Sequence, residues 1–532
     1  MTKHMTVEDC EPAPMPPHEI ELKFSLSTAD LDRLHAHPVW ATKKAPPAAE
    51  QLISVYYDTP DLKLQGQGLT LRVRTIGERY VQTVKSLDGP GLFGRGEWES
   101  NLASDAPDLE AALLTPLAKV LDEDAFAGLA PVFLTHVRRL SRVIKHDGAE
   151  IEASLDQGEI EAADGRTAPL NELELELKSG APAALLSLAD ALGGEDGPLR
   201  LSLVSKAEAG YRLADPKAKA GVKAQSPKLG EARTAADAFQ RIGRACLHQL
   251  NANEAGILEA RAPEAVHQMR VALRRLRAAL STFRRVAADA RFEAIKAELK
   301  WISGELNDAR NLDVLIHETY QPYRESLAQP SDTLGLDLLG EALTAAQTRA
   351  YDRAAAAVAS GRYRRMVLDT AAWMEAGPWL TEDGPADARD RSVEAFAAEA
   401  LQRRFKSMRK KARDLEDADA EGRHAFRIAA KKMRYTAELL SDLYRESKAA
   451  KRRERFVAAL KALQDDLGLL NDMATAEASL VLALLPNEAP AAPPQAGYAA
   501  GVMVGRRLAG EPELLKQTLQ AAKAFTHTTR YW

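Results

Sequence analysis

Across residues 19–213 hydrophobic and polar positions mostly alternate. The segments EIELKFSL, LTLRVRT, YVQTVKS, EWESNL, EIEASLD and ELELELK keep period two. Alternation over such lengths predicts half-buried strands, and the intervening DGPG, DG, DQG and ADG sequences read as turns of an antiparallel sheet. Two interruptions, 109–121 and 183–192, carry helical spacing instead. Residues 214–232 (ADPKAKAGVKAQSPKLGEA) have no period and read as an interdomain linker. Beyond them, residues 233–532 become rich in Ala, Leu and Arg with a 3.6-residue period, which predicts an all-α domain. Residues 1–18, with Pro12, Pro14, Pro16 and Pro17, read as a flexible tail.

The helical half contains a self-match. His267, Arg270, Arg274, Arg275 and Arg277 recur as His424, Arg427, Lys431, Lys432 and Arg434, an offset of 157. Downstream of each copy lies Leu-x4-Gly-x-Leu-Asn-Asp, starting at Leu299 and at Leu463. Two motifs repeated in one order predict two helical bundles related by a pseudo-twofold. At 100° per residue, His267, Arg270, Arg274 and Arg277 share an arc of about 80°. Met269, Leu273, Leu276, Leu280 and Phe283 fall opposite, as do Phe426, Met433 and Leu440 in the second copy. Each helix thus presents an apolar side and a separate basic stripe. The stripes are not balanced by Glu at i±4, so they read as anion-binding surfaces rather than solvated faces. Further basic clusters, Arg362 to Arg365 and Arg403 to Arg413, read equally well as solvated or binding surface.

In the strand-rich half the polar positions are charged in a repeating way. Glu19, Glu21 and Lys23 share one face of a strand, Arg72 and Arg74 of another, Glu97 and Glu99 of a third, and Glu172, Glu174 and Glu176 of a fourth. Lys85, Asp156 and Lys206 add single charges in strand-like contexts. A closed barrel would turn these faces inward and make a charged tunnel. Arg and Lys donate charge-assisted hydrogen bonds to phosphate oxygens, while clustered carboxylates tolerate a polyphosphate only with hard divalent cations between them. No Walker A or dinucleotide fingerprint occurs.

Composition adds an asymmetry. The 532 residues carry a net charge of −5, but residues 1–225 hold 24 basic and 35 acidic side chains and residues 226–532 hold 47 and 41. An acidic module is joined to a basic one, which points to a polyanionic partner for the second. Two cysteines, Cys10 and Cys246, exclude a disulfide framework and a Cys-based zinc site. No apolar run approaches the ~20 residues of a membrane helix and no secretory signal is visible, so the chain reads as soluble and cytoplasmic. Aromatics are 6% of residues and hardly interleave with the stripes, which disfavours nucleic acid.

These residues carry a family resemblance. Glu19-Ile20-Glu21-Leu22-Lys23 resembles the ExExK signature of the CYTH (triphosphate tunnel metalloenzyme) superfamily. Tyr57-Asp58-Thr59-Pro60, Leu71-Arg72-Val73-Arg74, Leu155-Asp156-Gln157-Gly158, the Glu-rich strand and Ser205-Lys206 follow in that superfamily's order. The second half resembles the CHAD domain, whose members associate with polyphosphate, and the order of the two resembles bacterial inorganic triphosphatases. The resemblance implies a multidomain α+β protein. Its N-terminal part would be an eight-stranded antiparallel β tunnel with flanking helices, and its C-terminal part an all-α pair of pseudo-symmetric bundles. It implies hydrolysis of tripolyphosphate to pyrophosphate and phosphate. Lys23, Arg72, Arg74, Lys85, Lys206 and one of Arg138, Arg139 and Arg142 (Arg139 favoured) would hold phosphate oxygens. Glu19, Glu21, Glu97, Glu99, Asp156, Glu172, Glu174 and Glu176 would be the pool binding Mg²⁺ or Mn²⁺. His267, Arg270, Arg274, Arg275, Arg277, His424, Arg427, Lys431, Lys432 and Arg434 would bind long-chain polyphosphate, placing the protein on polyphosphate granules. Thiamine triphosphate or nucleoside triphosphates are competing substrates, and a polyphosphate-binding protein without turnover is the competing class.

Overall fold

The computed structural model describes residues 19–39, 49–86, 94–194, 197–215, 221–327, 333–381, 386–486, 490–508 and 511–532. The expected tail 1–18 and the DGPG turn at 88–91 lie outside them. Side chains are also left undescribed at Glu19 and across 468–475, which includes the second Asn-Asp pair. The chain divides into two compact units, 1–218 and 219–532.

Among the described residues the first unit is built on nine antiparallel strands: β1 (Glu19–Ser25), β2 (Glu50–Asp58), β3 (Leu69–Ile76), β4 (Arg79–Ser86), β5 (Gly94–Leu102), β6 (Ala130–His146), β7 (Ala149–Ala162), β8 (Thr167–Ser179) and β9 (Arg200–Leu201). Their order is β5-β4-β3-β2-β6-β7-β8-β1-β9, with β1 also pairing with β5. Eight strands therefore close into a ring, and the two-residue β9 is an addition to the expected eight. The closing seam is short, Glu19 opposite Arg95 and Ile20 opposite Gly94.

The pleat sends apolar positions outward and polar ones inward, the reverse of an ordinary small barrel. Leu22, Phe24, Leu173 and Leu175 are buried on the outside, where the Ala183–Gly193 helix packs on β8. On another side Leu71 and Val84 pack with Leu64, Ala112, Leu117 and Leu121. Each fully buried Leu or Phe contributes roughly 1.5–3 kcal/mol, and this outer layer offsets the cost of a charged interior.

One end of the barrel is filled. The inward residues Leu52, Tyr56, Phe133, Val137, Ile160 and Leu170 meet Ala207 and Tyr211 of the helix Lys206–Ala214. Ser205 caps that helix in a reciprocal capping box with Glu208. Gly210 faces the Phe133 ring so closely that a Cβ there would lie 2.1 Å from it. Asp58 anchors the same helix: it accepts the Tyr211 hydroxyl (2.8 Å) and the backbone N–H groups of Thr59, Leu64 and Gln65. Lys206 is therefore the first residue of a helix, not a strand residue, because the Ser-x-x-Glu box ends the alternation of LSLVS.

A second expectation is also corrected. Asp156-Gln157-Gly158 is the middle of β7, not a turn. Gly158 stands there because strand β6 comes close: a Cβ would meet the His136 carbonyl at 1.9 Å. The Asp-Gly pair at 147–148 and the Gly165 turn do reverse the chain, each with left-handed backbone.

The second unit is helical. The apolar stripe of Pro263–Thr282 is buried at Met269, Leu273, Leu276 and Leu280, and Ala420–Leu439 buries Phe426 and Met433. Among the contacts that join the repeats, two are polar and lie at helix ends. Thr234 and Ser392, which cap Ala235–Asn251 and Val393–Arg413, form an antiparallel bridge. Thr282 Oγ1 meets Thr436 Oγ1 at 3.1 Å in buried surroundings. The expected linker is in part a strap on this unit. Leu229 is buried and donates to Asp442, and Val222 exchanges hydrogen bonds with Asn253.

Candidate functional site: a charged tunnel and a basic helical surface

Directly opposed charges line the barrel. Lys23 lies opposite Glu174, Arg139 opposite Asp156, Lys85 opposite Glu97, and Glu21 opposite Glu176. The resulting cavity, about 160 Å³, is lined by Glu21, Lys23, Arg72, Arg74, Lys85, Glu97, Glu99, Arg139, Glu174, Glu176 and Lys206, with Tyr56 among them.

Two groups form within it. In the first, Lys206 Nζ sits among three carboxylates: Asp156 (2.9 Å), Glu172 (2.8 Å) and Glu174 (2.5 Å). Arg139 makes a fork to Asp156 (2.7 and 2.6 Å) and reaches Glu174 at 2.5 Å. Lys23 lies 3.6 Å from Glu172 and donates to the Val204 carbonyl. In the second, Lys85 (2.7 Å) and Arg72 (3.5 Å) approach Glu97, and Thr83 donates to Glu99 at 3.1 Å. Arg74 donates to Ser54 Oγ (3.2 Å), and among the described residues no carboxylate lies within ion-pair distance of it. Glu176 pairs with Lys178 (2.6 Å) at the rim. Of the three candidate arginines, Arg139 faces the tunnel, Arg138 is exposed on the alternate face, and Arg142 bonds the Val39 carbonyl (3.0 Å).

The electrostatics follow from this packing. Burial alone would push Glu174 up, but Lys206 and Arg139 outweigh it and hold it well below the usual carboxylate range. Burial would likewise lower Lys206, yet Glu172, Glu174 and Asp156 raise it well above its ordinary value. Burial, with Arg72 and Arg139 close by, pushes Arg74 down to about 10. Tyr56 is raised by burial but pulled below its ordinary value by Arg72 and Arg74. A buried ion cluster of this kind adds little stability relative to an apolar core, so its presence points to work on a ligand.

The donor chemistry fits a hard divalent cation. Carboxylate oxygens of Asp156, Glu172 and Glu174 lie within 4.8 Å of one another, the ligand type that Mg²⁺ and Mn²⁺ prefer.

In the helical unit the stripes of the two repeats meet. Arg274 of one copy and Arg434 of the other both lie over the Tyr435 ring, 5.3 and 5.5 Å from its centre. Arg427 also acts on Tyr435, and Arg270 feels Arg274, Arg310 and Arg277. Burial and those arginines push Arg270 down to about 10. His267 is lowered by burial first, then by Arg310, with Arg274 and Arg270 adding and Glu264 opposing. Three expected residues behave differently. Arg275 turns inward to Gln249 (3.1 Å) and the Gln225 carbonyl. Its counterpart Lys432 lies with Arg404 and Lys411 instead. Arg434 is balanced at i+4 after all, by Glu438 at 2.9 Å. His424 is exposed, and Lys431 is half-buried on the same helix. Arg362 is held by Glu298 and lies over Trp301.

Tyr56, Arg310 and Tyr435 were not singled out by sequence. The alternation that places Ser54 inward places Tyr56 there too. Arg310 has Ala474 as its repeat counterpart, so the self-match could not find it.

A closed barrel with an ionic interior, followed by a helical unit with a basic face, defines a two-domain protein. The chain carries a CYTH domain over residues 17–211 and, after it, a CHAD domain over 241–481. The inorganic triphosphatase of Haemophilus influenzae is 32% identical over 165 residues, which are 30% of this chain and 45% of that protein. The match thus spans less than half of that relative. Among solved structures, the CHAD domain of the plant Ricinus communis is 32% identical, covering 58% of this chain and 97% of that one, with a TM-score of 0.48. A Hippeastrum protein, studied as an adenylyl cyclase and described with a dominant triphosphatase activity, is 17% identical, covering 36% of this chain and 95% of that one, with a TM-score of 0.26. Among the described residues no helix is long and apolar enough to cross a membrane.

Proposed function

We propose that the barrel hydrolyses inorganic tripolyphosphate to pyrophosphate and phosphate with a divalent cation, Mg²⁺ or Mn²⁺, and that the helical unit binds long-chain polyphosphate. The observation that carries the first part is the tunnel interior, where a row of cations faces clustered carboxylates in a barrel filled at one end. Asp156, Glu172 and Glu174 would hold the cation, with Glu21, Glu97, Glu99 and Glu176 as the remaining carboxylates of the pool. When bound, the cation neutralises phosphate oxygens and lowers the pKa of a coordinated water.

The chain's own residues do the positioning. Arg74, with no carboxylate at ion-pair distance among the described residues, is placed to take a phosphate oxygen at once. Arg72, Lys85, Arg139, Lys23 and Lys206 exchange carboxylate partners for phosphate as the substrate enters. Water adds across the terminal P–O–P bond, and the arginines and lysines hold the charge that grows on the departing pyrophosphate. The apolar packing of Tyr56, Phe133 and Tyr211 at that end favours a short chain over threading of a long one. It also favours bare triphosphate over ATP or thiamine triphosphate, whose organic groups need room beyond the chain.

For the helical unit the supporting observation is the merging of both stripes around Tyr435. That ring is buried, so the surface offers charge without an open stacking platform, which suits polyphosphate better than nucleic acid.

Phosphate release from tripolyphosphate by the full chain, with Mg²⁺, Mn²⁺ or EDTA and beside ATP and thiamine triphosphate, tests the reading. Metal-dependent turnover of tripolyphosphate alone is expected. Absence of turnover with every metal would leave only the binding function.

A further inference from the structure

Within the tunnel the position of Lys206 is unusual in one respect. A single ammonium group is held at 2.5–2.9 Å by all three carboxylates whose oxygens cluster closely enough for a cation. The ammonium donates a hydrogen bond to Glu174 and stands at ion-pair distance from Asp156 and Glu172. We infer that Lys206 is a built-in competitor of the divalent cation: in the resting protein it occupies the centre of the Asp156, Glu172 and Glu174 cluster, and metal loading requires it to leave.

The chain is arranged for that exchange. Lys206 is the first residue of a capped helix anchored through Tyr211 to Asp58. Its backbone is fixed, and only the flexible four-carbon stem has to move. With Lys206 in place, the three carboxylates face three cations, Lys206, Arg139 and Lys23, and the group is neutral. Exchange of the ammonium for a divalent cation leaves this wall positively charged, with Lys206 turned toward the tunnel to meet a phosphate oxygen. An anionic substrate therefore favours the metal-loaded arrangement, and metal without substrate binds weakly. Metal and tripolyphosphate are coupled positively through one side chain. This rests on the reading that these carboxylates hold the metal.

Mn²⁺ binding to the full chain without substrate, followed by loss of the free-ion electron paramagnetic resonance signal, tests it apart from activity. Lys206→Met should bind Mn²⁺ roughly tenfold more tightly or better, since a unit charge next to the site is gone. Unchanged or weaker binding by Lys206→Met, with Mn²⁺ still bound by the wild type, overturns the competition and leaves the metal reading standing. If neither protein binds Mn²⁺, both fall. The wild type gives a second measurement that needs no variant. Acetylation of Lys206, read by peptide mass spectrometry, should rise several-fold on adding Mn²⁺, because the amine leaves its carboxylates. Equal acetylation with and without the ion overturns the inference.

Discussion

Arg74 and Arg139 point into the same tunnel but are bound into it differently, and removing each should give a different result. Arg139 neutralises Asp156 and Glu174, so Arg139→Ala strands buried charge and should cost about 3–5 kcal/mol of stability along with activity. Arg74 has no carboxylate at ion-pair distance among the described residues, and it repels Arg72 and Arg139. Arg74→Ala should leave thermal denaturation nearly unchanged while kcat/KM for tripolyphosphate falls on the order of 10²-fold. A third residue-scale expectation concerns His267. Its folded-state pKa lies below the unfolded value, so the folded protein resists protonation. Its contribution to stability is present above about pH 6.5 and is lost as pH falls below that. Polyphosphate favours the imidazolium, so its affinity should rise over the same fall in pH. His267→Gln should flatten both trends, read by denaturation and by binding between pH 5.5 and 7.5. Which residues face the tunnel was legible wherever alternation was unbroken, as at Arg72 and Arg74 or Glu172, Glu174 and Glu176. It failed at Arg275, whose inward turn depends on Gln249 from another helix and leaves no mark in its own segment.

Among the elements, the helix Lys206–Ala214 links structure to chemistry most directly, since it fills the barrel end and carries Lys206. Asp58 holds it through the Tyr211 hydroxyl and is itself fixed by the backbone N–H groups of Thr59, Leu64 and Gln65. Asp58→Asn keeps the shape but loses the charge and an acceptor, and should cost about 1–3 kcal/mol. Amide exchange over residues 206–214 should then rise more than elsewhere in the barrel. Gly210→Ala should have a similar effect by another route, because its Cβ would collide with Phe133. Strands were legible from their period, yet β7 was cut at Gly158 because a glycine that admits a neighbouring backbone looks, in sequence, like a glycine that turns the chain. The start of the Lys206–Ala214 helix was missed for a related reason. The run LSLVS that ends at Ser205 continued a strand pattern, and only the Ser-x-x-Glu spacing announced the change.

At the scale of the whole molecule, the two units carry different balances of charge, and the proposed function makes each respond differently to its polyanion. The tunnel is nearly neutral, so its affinity for tripolyphosphate should depend on metal more than on ionic strength. The basic helical face has a surplus of cations, so polyphosphate retention should weaken steeply with salt by counterion release. Replacing Arg274 and Arg434 together with Ala in the full chain should lower that salt slope and leave tripolyphosphate turnover unchanged, as read by retention at several salt concentrations beside phosphate release. The division into an acidic strand-rich part and a basic helical part was open to view in composition, and the duplication in a spacing of 157 residues. How the two stripes converge on Tyr435 was not, because a repeat shows what is copied and not where the copies touch.

That duplication also sets a schedule. Ala235 at the start of Ala235–Asn251 donates across to the Arg391 carbonyl and Val393 to the Arg233 carbonyl, and Thr282 meets Thr436. On a ribosome adding about 5–20 residues per second, the first repeat would wait roughly 8–30 s for the second to be synthesised. Throughout that interval its mating surface is exposed to the crowded cell, making the unfinished chain a natural client for chaperones and giving the order of synthesis a say in whether the molecule reaches its final form.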